Sequence, residues 1–215
     1  MFRICLLFRA AVVIAVVVAP GISGAVGPDP AAFIDNLDTQ LRAACTDASP
    51  EKKLARFHQL FRQDFDVPGI ARFVLGRYWQ LASPSEQREF LSLFEDYIVQ
   101  AYSTRLSRYA DSDDLPRVIG SRLAPDGAVV SSQLRLANGG GPKAGGHGPT
   151  VLPINIDWRL TAQNGSYKIN DVIVDGISMA ASERSEFASE IERGGGEVHT
   201  LLVMMHRQTA NGAPR

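Results

Sequence analysis

Apolar residues in the first half of the chain return every three or four positions. Phe33, Ile34, Leu37, Leu41 and Ala44 keep that spacing after Pro28-Asp29-Pro30, which predicts a first helix. Ser49-Pro50-Glu51 starts a second, with Ser49 as its cap and Pro50 in its first turn. Leu54, Phe57, Leu60, Phe61 and Phe65 form its apolar stripe. Asp66-Val67-Pro68 breaks that pattern, and Ile70, Ala71, Phe73, Val74 and Leu75 predict a short helix before Gly76-Arg77-Tyr78-Trp79. Ser83-Pro84-Ser85-Glu86 is then a capping box, in which Ser83 and Glu86 satisfy each other's open amides. Phe90, Leu93, Phe94, Tyr97, Ile98, Ala101, Tyr102, Leu106 and Tyr109 follow over about twenty residues, roughly 30 Å of helix.

The period then shortens to two. Val118–Leu123 and Val129–Leu136 flank Pro125-Asp126-Gly127 and predict a hairpin. Ile154, Ile156, Trp158 and Leu160 alternate with polar neighbours, and Asn164-Gly165 turns the chain into Tyr167-Lys168-Ile169. The apolar phase slips between Ile169 and Val172, which predicts a bulge near Asn170-Asp171. A glycine-rich stretch, residues 137–150, separates the second and third strands and lacks the strand-to-helix frame of a phosphate loop. A closing helix is expected after Ser182, carrying Phe187 and Ile191 and ending at Gly194-Gly195-Gly196. Val198, Leu201, Leu202 and Met205 predict a short terminal helix, with a loose tail over 208–215. Helices grouped before strands give an α+β fold. The helical N-terminal half should pack on a curved four-stranded antiparallel sheet.

The N-terminus changes the organisation. Arg3 and Arg9 flank an apolar opening, Ala10–Ala19 is unbroken small and apolar, and Ser23-Gly24-Ala25 suits a signal peptidase. Residues 1–25 therefore read as a secretory signal peptide, and 26–207 as a single domain. About ten apolar residues are too few to span roughly 30 Å of hydrocarbon. Export would remove Cys5 and leave Cys45 without an internal disulfide partner, open as a nucleophile or for pairing between chains, though such a residue is more often a small apolar filler on a helix face. Loss of the two leader arginines makes the mature chain two units more negative than the full chain's −1. No basic block remains, which argues against a nucleic-acid partner.

Candidate chemistry is sparse. Gly176-Ile177-Ser178-Met179-Ala180 falls one residue short of the G-x-S-x-G elbow that presents a hydrolase nucleophile. Its strand belongs to an antiparallel hairpin, and His199 and His206 lie within thirty residues on one short helix. An elbow triad needs a parallel sheet and separate loops for its members. Ser178 is therefore expected to be structural, in the turn that caps the closing helix, and no enzyme activity is expected. Four scattered histidines and no paired cysteines supply neither a metal nor a cofactor motif.

Several blocks, in order, resemble a known family. They are Phe65-Asp66-Val67, Leu75-Gly76-Arg77-Tyr78-Trp79, Asp157-Trp158-Arg159, Tyr167-Lys168-Ile169-Asn170-Asp171-Val172, Val174-Asp175-Gly176-Ile177-Ser178-Met179 and Arg184-Ser185-Glu186-Phe187. Over residues 30–205 the chain resembles the MlaC family of periplasmic phospholipid-binding proteins, also called the toluene-tolerance auxiliary family. The wording around Trp158 and Ser178 also resembles a branch linked to hopanoid metabolism, which keeps a polycyclic lipid open as ligand. The resemblance implies a carrier that shuttles phospholipid between an inner-membrane ABC-type lipid transport complex and an outer-membrane lipoprotein complex. Residues 137–150 depart from the family by an expanded connection.

The resemblance also implies an apolar pocket for acyl chains. Its expected lining is Val74, Leu75, Tyr78, Trp79, Phe94, Tyr97, Ile98, Tyr102, Ile156, Trp158, Tyr167, Ile169, Val172, Val174, Met179 and Phe187. Hiding a chain of about sixteen carbons from water is worth about 12 kcal/mol. Aromatic and aliphatic stripes can supply that, but periodicity does not separate a hollow core from a filled one. With no anion cradle or dense basic cluster, broad headgroup tolerance is expected. Arg72, Arg77 and Arg105 are candidate charges at the mouth, and surface solvation explains them equally well.

Overall fold

In the computed structural model the chain is described over residues 28–45, 49–110, 116–134 and 153–210, with 103–110 by backbone only. The leader and the 137–150 stretch lie outside the described residues.

Among the described residues four helices precede the long one, and side-chain caps mark where α2 and α3 begin. α1 spans Pro30–Cys45 and α2 spans Pro50–Asp64, opened by Ser49, whose Oγ accepts the Lys52 amide at 3.4 Å. In α3, Val67–Leu75, the Asp66 carboxylate accepts from Gly69 N at 3.2 Å. A single turn, α4, covers Tyr78–Leu81. α5 runs 27 residues from Pro84 to Ala110. Its capping box is formed as expected: Ser83 N donates to Glu86 Oε2 at 2.8 Å, and Glu86 N donates to Ser83 Oγ at 3.3 Å. The Ser83 hydroxyl also holds the Glu86 carboxyl below the usual glutamate range.

The sheet is antiparallel throughout in the order β1 (Arg117–Ala124), β2 (Gly127–Leu134), β3 (Ile154–Gln163), β4 (Ser166–Val174) and β5 (Ile177–Ser178). Five strands replace the four expected, because a two-residue strand follows the tight turn at Asp175-Gly176. Both turn residues have positive φ, 47° and 85°, a backbone that glycine takes at little steric cost. The phase slip is a true bulge. Leu160 pairs with Ile169 and Arg159 with Asp171, which leaves Asn170 as the extra residue. Backbone ties the helical half to the sheet where Asp66 N donates to Ile169 O at 2.9 Å and Phe65 bridges Ile169.

α6 (Met179–Arg193) starts at Met179, not after Ser182, and α7 covers Val198–Ala210, past the Arg207 at which the expected helix ends. The earlier start has a local cause. Ser178 Oγ accepts the Ala181 amide at 3.0 Å and nucleates the helix immediately after β5.

Buried side chains form three clusters. The first joins α3, α5, α6 and α7 around Phe90, Phe94, Phe187, Leu201 and Met205. Phe187 packs edge-on to Phe90, Phe94 and Tyr97 at centroid distances of 5.9, 6.4 and 5.3 Å, pinning α6 to α5. The second packs Ile34 and Leu37 of α1 on Ala128, Val130, Leu160, Tyr167 and Ile169 of the sheet. The third, smaller, joins Ala44, Cys45, Phe57, Leu60 and Val99.

Candidate functional site: an apolar cavity between three clusters

The clusters do not fuse. Where they meet, a cavity of about 540 Å³ remains, within the range of roughly 300–1,000 Å³ typical of small-molecule sites. Helical spacing supplies most of its wall. Leu37 and Leu41 come from α1, Phe57, Leu60 and Phe61 from α2, Ile70 and Val74 from α3, and Phe94, Ile98 and Tyr102 from α5. Each pair four apart lies on one face of its helix, so one stripe both closes a cluster and lines the hollow. Trp158, Val172 and Val174 line it from the sheet, where alternation sends every second residue inward. Phe65, Val99 and the first turn of α6, with Met179 and Ala180, complete the apolar wall.

Most polar groups at the wall are engaged with protein partners, while Asn170 Oδ1 is buried without a hydrogen-bond partner among the described residues. Trp158 Nε1 donates to Ser132 Oγ at 2.9 Å, so the indole presents its ring rather than its N–H. The Tyr102 hydroxyl donates to Glu183 Oε1 at 2.9 Å. Asp171 Oδ1 accepts the Ala180 amide at 3.1 Å, and Asn170 Nδ2 donates to Thr161 Oγ1 at 2.6 Å. No lysine, arginine or histidine lines the cavity among the described residues. The interior can therefore hold hydrocarbon, and it offers no built cradle for a phosphate.

Eight residues of the expected lining meet at this cavity: Val74, Phe94, Ile98, Tyr102, Trp158, Val172, Val174 and Met179. The other eight lie elsewhere. Leu75, Tyr78 and Phe187 are buried in the first cluster, with Trp79 and Tyr97 packed against it. The Tyr97 hydroxyl is pushed up to about 12, first by burial and then by the carboxylates of Glu183, Glu186 and Glu190. Tyr167 and Ile169 fill the second cluster under α1, and Ile156 pairs with Val174 without reaching the hollow. The cavity lies closer to α1 and α2 than the sequence reading placed it. Leu37, Leu41, Phe57, Leu60, Phe61, Phe65 and Ile70 were legible as buried stripe residues, but a stripe does not say what it faces. The sequence pattern marked Asn170 and Asp171 only as a bulge, and nothing in it marked Glu183.

Arg72 and Arg77 are not at the cavity wall, and the Arg105 side chain lies outside the described residues. Ser178 is a cap, with its Oγ accepting the Ala181 amide and its carbonyl accepting the Ser182 hydroxyl at 2.9 Å. His206 turns to Glu89 at 2.7 Å and His58 to Glu95 at 2.9 Å. His58, Glu95 and Asp96 do gather three ligand-type atoms within 4.8 Å. Arg62 also reaches Glu95 at 3.5 Å, so the group acts as an ion-pair cluster joining α2 to α5.

The sequence model of the MlaC protein family matches residues 33–206. The chain belongs to the MlaC family. That span takes in every residue of the cavity wall. Among curated MlaC-family relatives, toluene tolerance protein ttg2D of Pseudomonas putida is 24% identical over 156 residues, covering 69% of this chain and 66% of that one. The intermembrane phospholipid transport system binding protein MlaC of Haemophilus influenzae is 22% identical over 137 residues, 64% of this chain and 59% of its own length. The aligned part thus spans about two thirds or less of these relatives. A phospholipid-binding protein from Ralstonia solanacearum, solved in complex with a phospholipid, shares the fold at a TM-score of 0.64 and 20% identity. The match covers 85% of this chain and 98% of that one.

Proposed function

We propose that this MlaC-family protein is a non-enzymatic lipid carrier of the periplasm. Its single domain, residues 26–207, holds the acyl part of a phospholipid in the cavity and moves it between inner-membrane ABC-type and outer-membrane lipoprotein complexes. The observation that carries this reading is the cavity itself: a sizeable hollow, walled mainly by Phe, Leu, Ile and Val from α1, α2, α3, α5 and the sheet, with no basic side chain among its described lining. Leaving a hollow of that size forfeits packing energy, roughly 24 cal/mol per Å³ in core-cavity series. Hydrocarbon filling it restores those contacts and stays out of water, at about 0.8 kcal/mol per methylene. Membership of the MlaC family and the phospholipid bound to the Ralstonia protein support a phospholipid as occupant. The export leader read in residues 1–25 supports the compartment.

The test is to purify the protein without detergent, extract it with organic solvent and identify the extract by mass spectrometry. Phospholipid near one equivalent is the expected result. A hopanoid or other polycyclic lipid in its place would keep the carrier reading and change the ligand. An empty protein that also takes nothing from vesicles would end it.

A further inference from the structure

The α3–α6 wall of the cavity carries a different chemistry on its outer side. Within the wall, Ile70 and Val74 of α3 and Met179 and Ala180 of α6 face the hollow. On the same two helices Arg72, Phe73 and Arg184 are exposed, Phe73 at 47%, and the adjoining turn α4 ends in Leu81 at 70%. The arginines are stacked on rings. Arg184 lies 5.2 Å from the Phe73 centroid, Arg72 lies 5.4 Å from that of Trp79, and Arg77 lies 4.8 Å from that of Tyr78. Gly76, at φ +56°, is what lets Arg184 lie down there: a Cβ at Gly76 would fall 2.8 Å from Arg184 Nε. Among the described residues, Arg77 alone of the three has an acidic partner, Glu192 at 2.6 Å. The outer side of this wall therefore presents Arg72 and Arg184 without an acidic partner among the described residues, together with exposed Phe73 and, at the end of the adjoining α4, Leu81.

We infer that this face docks the protein on an anionic phospholipid surface. A stacked guanidinium keeps its edge donors for phosphate while its carbon plane covers a ring, so the charge is already ordered before contact. Phe73 and Leu81 are exposed apolar side chains beside guanidinium groups, a combination that suits shallow insertion among anionic headgroups. The inference rests on the carrier reading. A carrier that exchanges lipid with membrane complexes works beside a bilayer, and holding its cavity close to that surface shortens the path of chains whose exposure to water costs about 0.8 kcal/mol per methylene. Here the cavity lies directly behind the docking helices.

The experiment is flotation of the purified protein with vesicles of equal parts phosphatidylglycerol and phosphatidylcholine, or of phosphatidylcholine alone, at low and high salt. A labelled phospholipid in the same vesicles reports uptake. Binding is expected to the anionic vesicles only and to fade at about 0.5 M salt, as charges separated by more than a Debye length are screened. Each basic residue at such a surface contributes about five-fold in partition, so Arg72→Gln with Arg184→Gln should weaken flotation about 30-fold. The paired Arg→Lys variant should keep most of the binding, and both should melt as the parent does. Equal flotation on both vesicle types, or a Gln variant that floats like the parent, would overturn the inference. So would a parent that ignores vesicles and instead cross-links through Arg72 and Arg184 to an acidic protein. The carrier reading fails separately, if the parent takes up no labelled lipid even from a detergent dispersion.

Discussion

Asp64 shows how one residue can work against its own fold. It is the last residue of α2, only 5% exposed, and its Oδ2 has no hydrogen-bond partner. A carboxylate there meets the negative end of the helix dipole. Burial raises its pKa above the usual aspartate range, and the Lys168 ammonium offsets part of that. Lys168 itself donates to the Arg62 and Gln63 carbonyls at the same helix end, the former at 3.2 Å. With the folded pKa above the unfolded one, the protonated form favours the fold below about pH 4, and that stability is lost as pH rises through the folded pKa. Asp64→Asn should therefore raise stability at neutral pH, by roughly 0.3–1 kcal/mol from the helix end alone. The gain should vanish as pH falls towards 4, and urea melts of both proteins at the two pH values would check it. None of this was legible in the sequence, where Asp64 is one polar residue beside a clear stripe.

Elements were far more legible, because periods and caps are local. Ser49 and Ser83 announced two helix starts, Asp66 was read as a break where it caps α3, and the lost phase between Ile169 and Val172 announced the bulge that leaves Asn170 unpaired with β3. The start of α6 was misread by four residues, although Ser178 was already expected to be structural in the turn before it. Its hydroxyl is an N-cap at the end of a β-turn. Ser178→Ala should cost about 1 kcal/mol, within the range of roughly 0.5–2 for a lost cap, and should leave the bound lipid in place. A thermal melt and a lipid extract of the variant measure the two separately. A folded variant that loses esterase turnover present in the parent would restore the hydrolase reading. Most of the cavity wall that the sequence reading missed lies on α1, α2 and the start of α3, whose apolar stripes it had read. Which layer each stripe met depended on tertiary packing, and Tyr97 and Ile98, one residue apart, end against Phe187 and at the cavity respectively.

At the scale of the molecule, the decisive property is that three clusters share a void instead of merging into one core. Hydrophobic patterning cannot encode that distinction, since Val130 and Val174 alternate along their strands in the same way. Val130 is fully buried inside the sheet–α1 cluster, while Val174 lies at the cavity wall. The two therefore make a matched comparison. Tryptophan at Val130 must push apart side chains already in contact, which should cost about 1–3 kcal/mol by overpacking and leave the lipid in place in whatever fraction stays folded. At Val174 the added ring can enter the hollow, where it should displace lipid without that penalty. The expected pattern is a destabilised, lipid-bearing Val130→Trp and a lipid-poor Val174→Trp as stable as the delipidated parent. Urea denaturation and mass spectrometry of the extracts read both quantities. Equal destabilisation at the two sites would mean that the space beside Val174 is packed in solution. The fold would then be an adaptor with a solid core, and the carrier reading would lose its physical basis.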